Sequence, residues 1–241
     1  MARDGSAPFR ATVTCSRAAA GRHGAGGRWQ VAGGEDPTYT PLRSAELYTP
    51  ATGAWAATGS TTVIHYGDVA VLLPSGRVLL AGGGTNACEV YDPGTRLWHP
   101  VASMHHSRLG HTLTLRSDGS VLAAGGADAG DTIDQASAEI YDSAIDTWTV
   151  VESMHVPRTL HTATLLRDGT VLIAGGRDGK QVLASAERFD PATGRWTLVA
   201  SMHGRRAQHV AVALDGRTVL IAGGIADSDT YLGTAEIYRK Q

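Results

Sequence analysis

The stretch His161-Thr-Ala-Thr-Leu-Leu-Arg-Asp-Gly-Thr-Val-Leu-Ile-Ala-Gly-Gly176 decides the fold. His161–Leu166 is apolar and β-branched enough for a strand, Asp168-Gly169 predicts a tight hairpin turn, and Thr170–Ala174 continues as an almost wholly apolar strand. An apolar run bounded by turns fits a central strand covered on both faces. Downstream, Ala186–Asp190 reads as a third strand, the DPATG segment turns the chain, and Arg195–Val199 forms a fourth strand around Trp196.

This unit recurs along the chain. Gly-Gly pairs preceded by apolar residues stand at Val31–Gly34, Leu80–Gly83, Ala123–Gly126, Ile173–Gly176 and Ile221–Gly224, at spacings of 49, 43, 50 and 48 residues. Each is followed by a second signature ending at Tyr48, Tyr91, Tyr141, Phe189 or Tyr238. A tryptophan comes next at positions 55, 98, 148 and 196. A lone four-stranded sheet cannot bury both faces, so sheets repeated at this period must stack and close into a propeller. The set Arg-x-x-His, Asp-Gly, Gly-Gly, Ala-Glu-x-Tyr and Trp resembles the Kelch-repeat β-propeller family, in the bacterial style of galactose-oxidase-like propellers. The resemblance covers about residues 27 to 241 and implies an all-β propeller of four-stranded antiparallel blades; the five repeats, with a strand shared between the chain ends, make it five-bladed. One domain spanning residues 1–241 is expected.

The last repeat has no tryptophan strand of its own. Ala7–Cys15 aligns with the fourth strand of the preceding repeat so that Phe9 takes the place of Trp196, and an N-terminal strand over residues 7–15 is expected to complete the last blade. The rival reading is a partial ring that completes itself by pairing with a second chain as a homodimer.

Composition narrows the function classes. A formal net charge of −2 lacks the basic footprint of a nucleic-acid binder. No apolar stretch approaches a membrane span, and no secretory signal is evident, so the sequence reads as soluble and cytoplasmic. Cys15 and Cys88 lack zinc or disulfide spacing. A Gly-x-Ser-x-Gly elbow is missing, and the Gly-Gly pairs end strands without opening helices, which argues against a serine triad and a dinucleotide site. Asp128, Asp131 and Asp134, or Asp227 and Asp229, could bind calcium but read more simply as solvated loop carboxylates.

Equivalent residues at the innermost strand starts converge at one channel mouth. One ring comprises Arg17, His65, Arg108, Arg158 and Arg206, and a second Ala20, Asp68, His111, His161 and His209. A third set contains His105, His155 and His203. The structural account makes these residues strand-start hydrogen bonders, with the arginines pairing Glu46, Glu89, Glu139, Glu187 and Glu236. In the chemical account, His111, His161 and His209 form a His₃ zinc set with Asp68 as fourth ligand or base. The metal would lower the pKa of bound water, and Arg108, Arg158 and Arg206 would stabilise developing anionic charge, with His65 and Asp68 as the asymmetric catalytic candidates. That account describes a metal-dependent hydrolase of activated esters or phosphoesters. The competing function is a non-catalytic Kelch module binding a protein or glycan.

Overall fold

The computed structural model describes residues 16–17, 29–32, 40–49, 51–65, 67, 69–130, 132–227 and 230–240. Five successive antiparallel sheets carry the chain. The first comprises β1 (Ser16–Arg17), β2 (Trp29–Ala32), β3 (Ala45–Thr49) and β4 (Ala54–Thr58). The second holds β5 (Val69–Leu72), β6 (Val78–Ala81), β7 (Cys88–Asp92) and β8 (Leu97–Val101). Next come β9 (Thr112–Leu115), β10 (Val121–Ala124), β11 (Ala138–Asp142) and β12 (Thr147–Val151). The fourth sheet pairs β13 (Thr162–Leu165), β14 (Val171–Ala174), β17 (Ala186–Asp190) and β18 (Arg195–Val199), with a hairpin of β15 (Arg177–Asp178) and β16 (Gln181–Val182) above it. The fifth has three described strands, β19 (Val210–Ala213), β20 (Thr218–Ala222) and β21 (Ala235–Arg239).

Local chemistry sets the hairpins. Leu166 and Thr170 close the turn through a 2.8 Å backbone bond, the Asp168 carboxylate accepts from the Thr170 hydroxyl at 2.8 Å, and Gly169 takes φ +83°. At the other end, Gly175 has φ +61°, and a Cβ there would stand 2.4 Å from the Arg206 carbonyl oxygen. Only glycine permits that approach between blades.

Strand alternation sends each sheet's two faces to its two neighbours. Leu79, Ala81, Cys88 and Val90 pack on Val121, Ala123, Tyr141 and Trp148 of the following sheet. The next interface joins Leu122, Ala124 and Ala138 to Val171, Ile173, Phe189 and Trp196. Leu172, Ala174 and Ala186 then meet Val219 and Ile221. Each fully buried Val, Leu, Ile or Phe contributes about 1.5–3 kcal/mol, so these stacked interfaces hold the fold. Trp98, Trp148 and Trp196 are 6%, 4% and 4% exposed, as their recurrence in the repeat requires.

The end sheets differ. Val210, Val212 and Ile237 on the fifth sheet are 69%, 54% and 52% exposed, and Trp55 on the first is 53% exposed. These faces correspond to ones that neighbouring sheets cover elsewhere, and the described residues leave the five-blade count an expectation.

Register also revises the reading of the N-terminus. Ser16 and Arg17 lie opposite Gln30 and Trp29, as Thr164 and Leu165 lie opposite Leu172 and Val171. Arg17 therefore ends its inner strand and does not join the arginines at the strand starts. From Trp55 to Leu72, Trp98 to Leu115, Trp148 to Leu165 and Trp196 to Ala213, the outer tryptophan precedes the last residue of the next inner strand by 17 positions. The expected N-terminal strand over residues 7–15, with Phe9, Cys15 and Ala20, lies outside the described residues.

Candidate functional site

The strand-start arginines are buried to 0–1% exposure and bonded through both terminal guanidinium nitrogens. Arg158 donates from Nη1 to the carbonyls of Gly175 at 2.9 Å and Ser185 at 3.1 Å, and from Nη2 to Glu187 Oε1 at 2.8 Å. Arg108 repeats this with Gly125, Ser137 and Glu139, and Arg206 with Gly223, Thr234 and Glu236. Each arginine therefore ties the Gly-Gly turn of its own blade to the glutamate of the third strand.

The same carboxylates cap the preceding loop. Glu187 accepts from the backbone N–H of His155 at 2.8 Å and of Val156 at 3.1 Å, and also meets His155 Nδ1 at 2.8 Å. Burial works to raise the Glu187 carboxyl, but the His155 donors and the Arg158 charge outweigh it and hold the group below the ordinary carboxylate range. His105 and His203 meet Glu139 and Glu236 in the same way. The Met-His histidines are carboxylate partners, not channel ligands.

His65 occupies the arginine position of the second blade and reproduces its contacts. Its Nδ1 lies 2.8 Å from the Gly82 carbonyl and its Nε2 3.1 Å from Glu89 Oε1, with the residue 1% exposed. Both partners are acceptors, so only the doubly protonated imidazolium makes both bonds together. The asymmetry that marked His65 as a catalytic candidate preserves the structural role.

The second ring is oriented between blades. His161 Nε2 lies 3.0 Å from Thr112 Oγ1 and His209 Nε2 2.9 Å from Thr162 Oγ1, each hydroxyl belonging to the inner strand of the preceding blade. At the matching position before His111 stands Val69, and neither His111 nitrogen has a hydrogen-bond partner. Burial, reinforced by the neighbouring arginine charge, pushes His111 down to about 3 and His209 to about 4, and holds His161 well below its ordinary value. All three imidazoles are neutral near pH 7.

Among the described residues, no group of three or more His, Cys, Asp or Glu side chains is placed to hold a metal ion. His111, His161 and His209 do not form such a group; the His161 and His209 rings turn toward Thr112 and Thr162 of the preceding blades. Asp68 lies outside the described residues. Arg108, Arg158 and Arg206 are committed to buried carboxylates and carbonyls, leaving no exposed guanidinium face toward an anionic substrate. Cys88 is buried and its thiol is pushed up to about 12 by burial, which leaves it unreactive.

What sequence reasoning missed is the rim above these residues. Bridges Leu109↔Ala127, Thr159↔Arg177 and Ala207↔Ile225 fasten the loops that follow each Gly-Gly pair to the strand starts. Adjacent loops also touch, since Asp134 accepts from the backbone N–H of Gly179. Ile133 and Tyr231 project from this rim at 66% and 85% exposure. Their signal was available only as apolar residues within otherwise polar loops.

The stacked sheets, the Gly-Gly turns and the recurring Arg–Glu clamp define a β-propeller of Kelch type. Residues 158–203 match the Kelch motif, spanning the fourth sheet and its flanking strand starts. Among 370 matching chains of known structure, one titled "Structure of YjhT" superposes with a TM-score of 0.72 at 13% identity, over 87% of this chain and 78% of that one. At this identity the likeness establishes the fold alone, and a fold so widely shared does not select a function. No curated protein matches the chain. No helix in the described residues is long and apolar enough to cross a membrane.

Proposed function

We propose that this propeller is a non-catalytic binding module that holds a protein or glycan on the rim loops at one channel mouth. The observation that supports this most is the commitment of the repeated polar residues: Arg108, Arg158 and Arg206 with their glutamates, and His161 and His209, are spent on joining turns, strands and neighbouring blades. What remains free at that mouth is the loop surface, with Ile133 and Tyr231 exposed on a braced scaffold. Loops carried by a rigid propeller suit recognition, and an exposed tyrosine offers both an apolar face and a hydroxyl.

The test pairs a glycan array and a panel of folded and unfolded polypeptides with an esterase and phosphoesterase panel, using tag-free protein. Binding lost in the Ile133→Ser/Tyr231→Ala variant and retained in His161→Ala supports the proposal. Hydrolysis that disappears with His161→Ala, alongside unaffected ligand binding in the rim variant, overturns it.

A further inference from the structure

Between the second and third sheets, at the end of the strands opposite the rim, residues that break the internal repeat come together in one cleft. The turn joining third to fourth strand runs from Pro50 to Gly53, Pro93 to Arg96 and Pro191 to Gly194 in the first, second and fourth sheets, but from Ser143 to Asp146 in the third. His99 follows Trp98, where Ala56, Thr149 and Thr197 follow the other tryptophans. Arg77 closes the β5–β6 hairpin, where Ser120, Thr170 and Thr218 close its counterparts. Arg77, His99, Ser143 and Asp146 all line a cavity of about 450 Å³, whose apolar lining includes Leu73, Val90 and Val101. That volume falls within the ~300–1,000 Å³ of small-molecule sites. Blade architecture accounts for none of the four departures, since the other sheets form without them.

The uncompensated charge of the cleft is that of Asp146. This residue takes φ +51°, a left-handed conformation that aspartate tolerates, and its Oδ1 accepts from the Ala102 N–H and the Tyr141 hydroxyl, each at 2.9 Å. No cation pairs with it among the described residues; Arg77, on the same cavity, pairs with Asp92 at 3.2 Å. The next cleft round carries a cation of its own. There Arg116 lies 6.0 Å over the Phe189 ring, held by Ser120 Oγ at 2.9 Å and Asp118 at 3.0 Å. Phe189 has the register place of Tyr141, and Arg116 the hairpin place of Leu73. In the cleft before, Arg96 stands at the position of Asp146. The arginines of the neighbouring clefts are thus replaced here by a leucine on one side and a carboxylate on the other.

From Asp146 in a cleft whose two neighbours each carry an arginine, we infer a binding site for a guanidinium group on a short aliphatic stem, borne by a free small molecule or by an arginine side chain of another protein. The guanidinium donates to Asp146 Oδ2, which accepts no hydrogen bond among the described residues, and to the Ser143 hydroxyl. It lies on the side of Tyr141 that corresponds to the face of Phe189 covered by Arg116, while its stem runs along Leu73, Val90 and Val101. A hard metal ion is a poorer occupant, since it takes six or more oxygen ligands and the cleft offers one unpaired carboxylate. An anion is poorer too, because Asp92 neutralises Arg77. This site is separate from the rim and does not depend on the rim's function.

The probes are L-arginine and an end-capped Gly-Arg-Gly tripeptide, titrated into tag-free protein by isothermal calorimetry, with L-citrulline as the uncharged isostere. Saturable arginine binding is expected, weakened roughly 10-fold or more for citrulline, which lacks the charge that Asp146 pairs. Asp146→Asn should weaken binding comparably while keeping an acceptor for Ala102 and Tyr141. Leu73→Arg should abolish it, by supplying the side chain that Arg116 provides in the next cleft. Tyr231→Ala should leave it unchanged, separating the cleft from the rim. Tighter binding of the tripeptide assigns the guanidinium to another protein's arginine and tighter binding of free arginine to a small molecule; both support the site. No saturable binding of either, equal affinity for arginine and citrulline, or full affinity in a folded Asp146→Asn variant overturns the proposal. Should the variants not fold, arginine and citrulline on the unaltered protein still decide.

Discussion

Arg158 and Glu187 form a 2.8 Å ion pair in which neither side chain has any solvent exposure, and the pair fixes the Gly175 turn to the third strand of its blade. Removing one member strands the other as a buried charge. Arg158→Ala is expected to cost about 3–5 kcal/mol in urea unfolding, whereas Arg158→Met with Glu187→Leu should recover most of that loss. A loss below about 1 kcal/mol for the single variant would show that the clamp is dispensable.

His65 tests whether the second blade uses the same clamp with a different cation. His65→Arg should fold with stability equal to or above the parent, since the guanidinium replaces both bonds that the imidazole makes to Gly82 and Glu89. His65→Ala should be clearly less stable, by about 1–3 kcal/mol, because Glu89 loses a charged partner. Denaturant midpoints of the three proteins distinguish these outcomes.

Trp196 and Trp55 occupy equivalent repeat positions with opposite environments, 4% and 53% exposed. Trp196→Ala should cost about 3–5 kcal/mol through cavity formation and the lost bond to Glu152. Trp55→Ala should cost less than about 1 kcal/mol. Equal losses would mean that the first sheet's open face is covered in solution.

Acid should destabilise the fold in two windows. His111 and His209 are held neutral, at about 3 and about 4, against an ordinary value of 6.5. The unfolded chain therefore binds protons first, and stability is lost as pH falls from 6.5 toward 3–4. Glu236 adds a loss as pH falls from 4.5 toward its value of about 2, where hydrogen bonds from His203 and Gly204 outweigh the opposing effect of burial. His111→Leu with His161→Leu and His209→Leu should flatten the upper window and leave the lower one. Unchanged stability between pH 6.5 and 4.5 in the parent would refute the histidine part.

How far the sequence could be read follows from what repeats encode. The period of apolar runs, Asp-Gly turns and tryptophans fixes strands and stacking, because burying both faces of each sheet leaves few alternatives. It also identified the arginine–glutamate partnership now seen at Arg108, Arg158 and Arg206. Side-chain direction was not encoded at that level: His161 can point into the channel or toward Thr112 with the same strand pattern, and only the packing between blades decides. At Arg17, the residue type matched the strand-start arginines while its place opposite Trp29 did not, a distinction that requires the register of β1. Tyr231 and Ile133 carried no periodic signal, since loop exposure depends on how neighbouring loops brace one another.

The central claim is that His161 and His209 join blades and that the three buried histidines do not share a catalytic metal. Its most direct test is zinc content by mass spectrometry, after equilibrium dialysis of tag-free protein against micromolar zinc, compared with the His111→Ala/His161→Ala/His209→Ala variant. The account predicts well below one zinc per chain at these positions and no difference between the folded proteins. One zinc per chain in the parent, absent from a variant that remains folded, would contradict it.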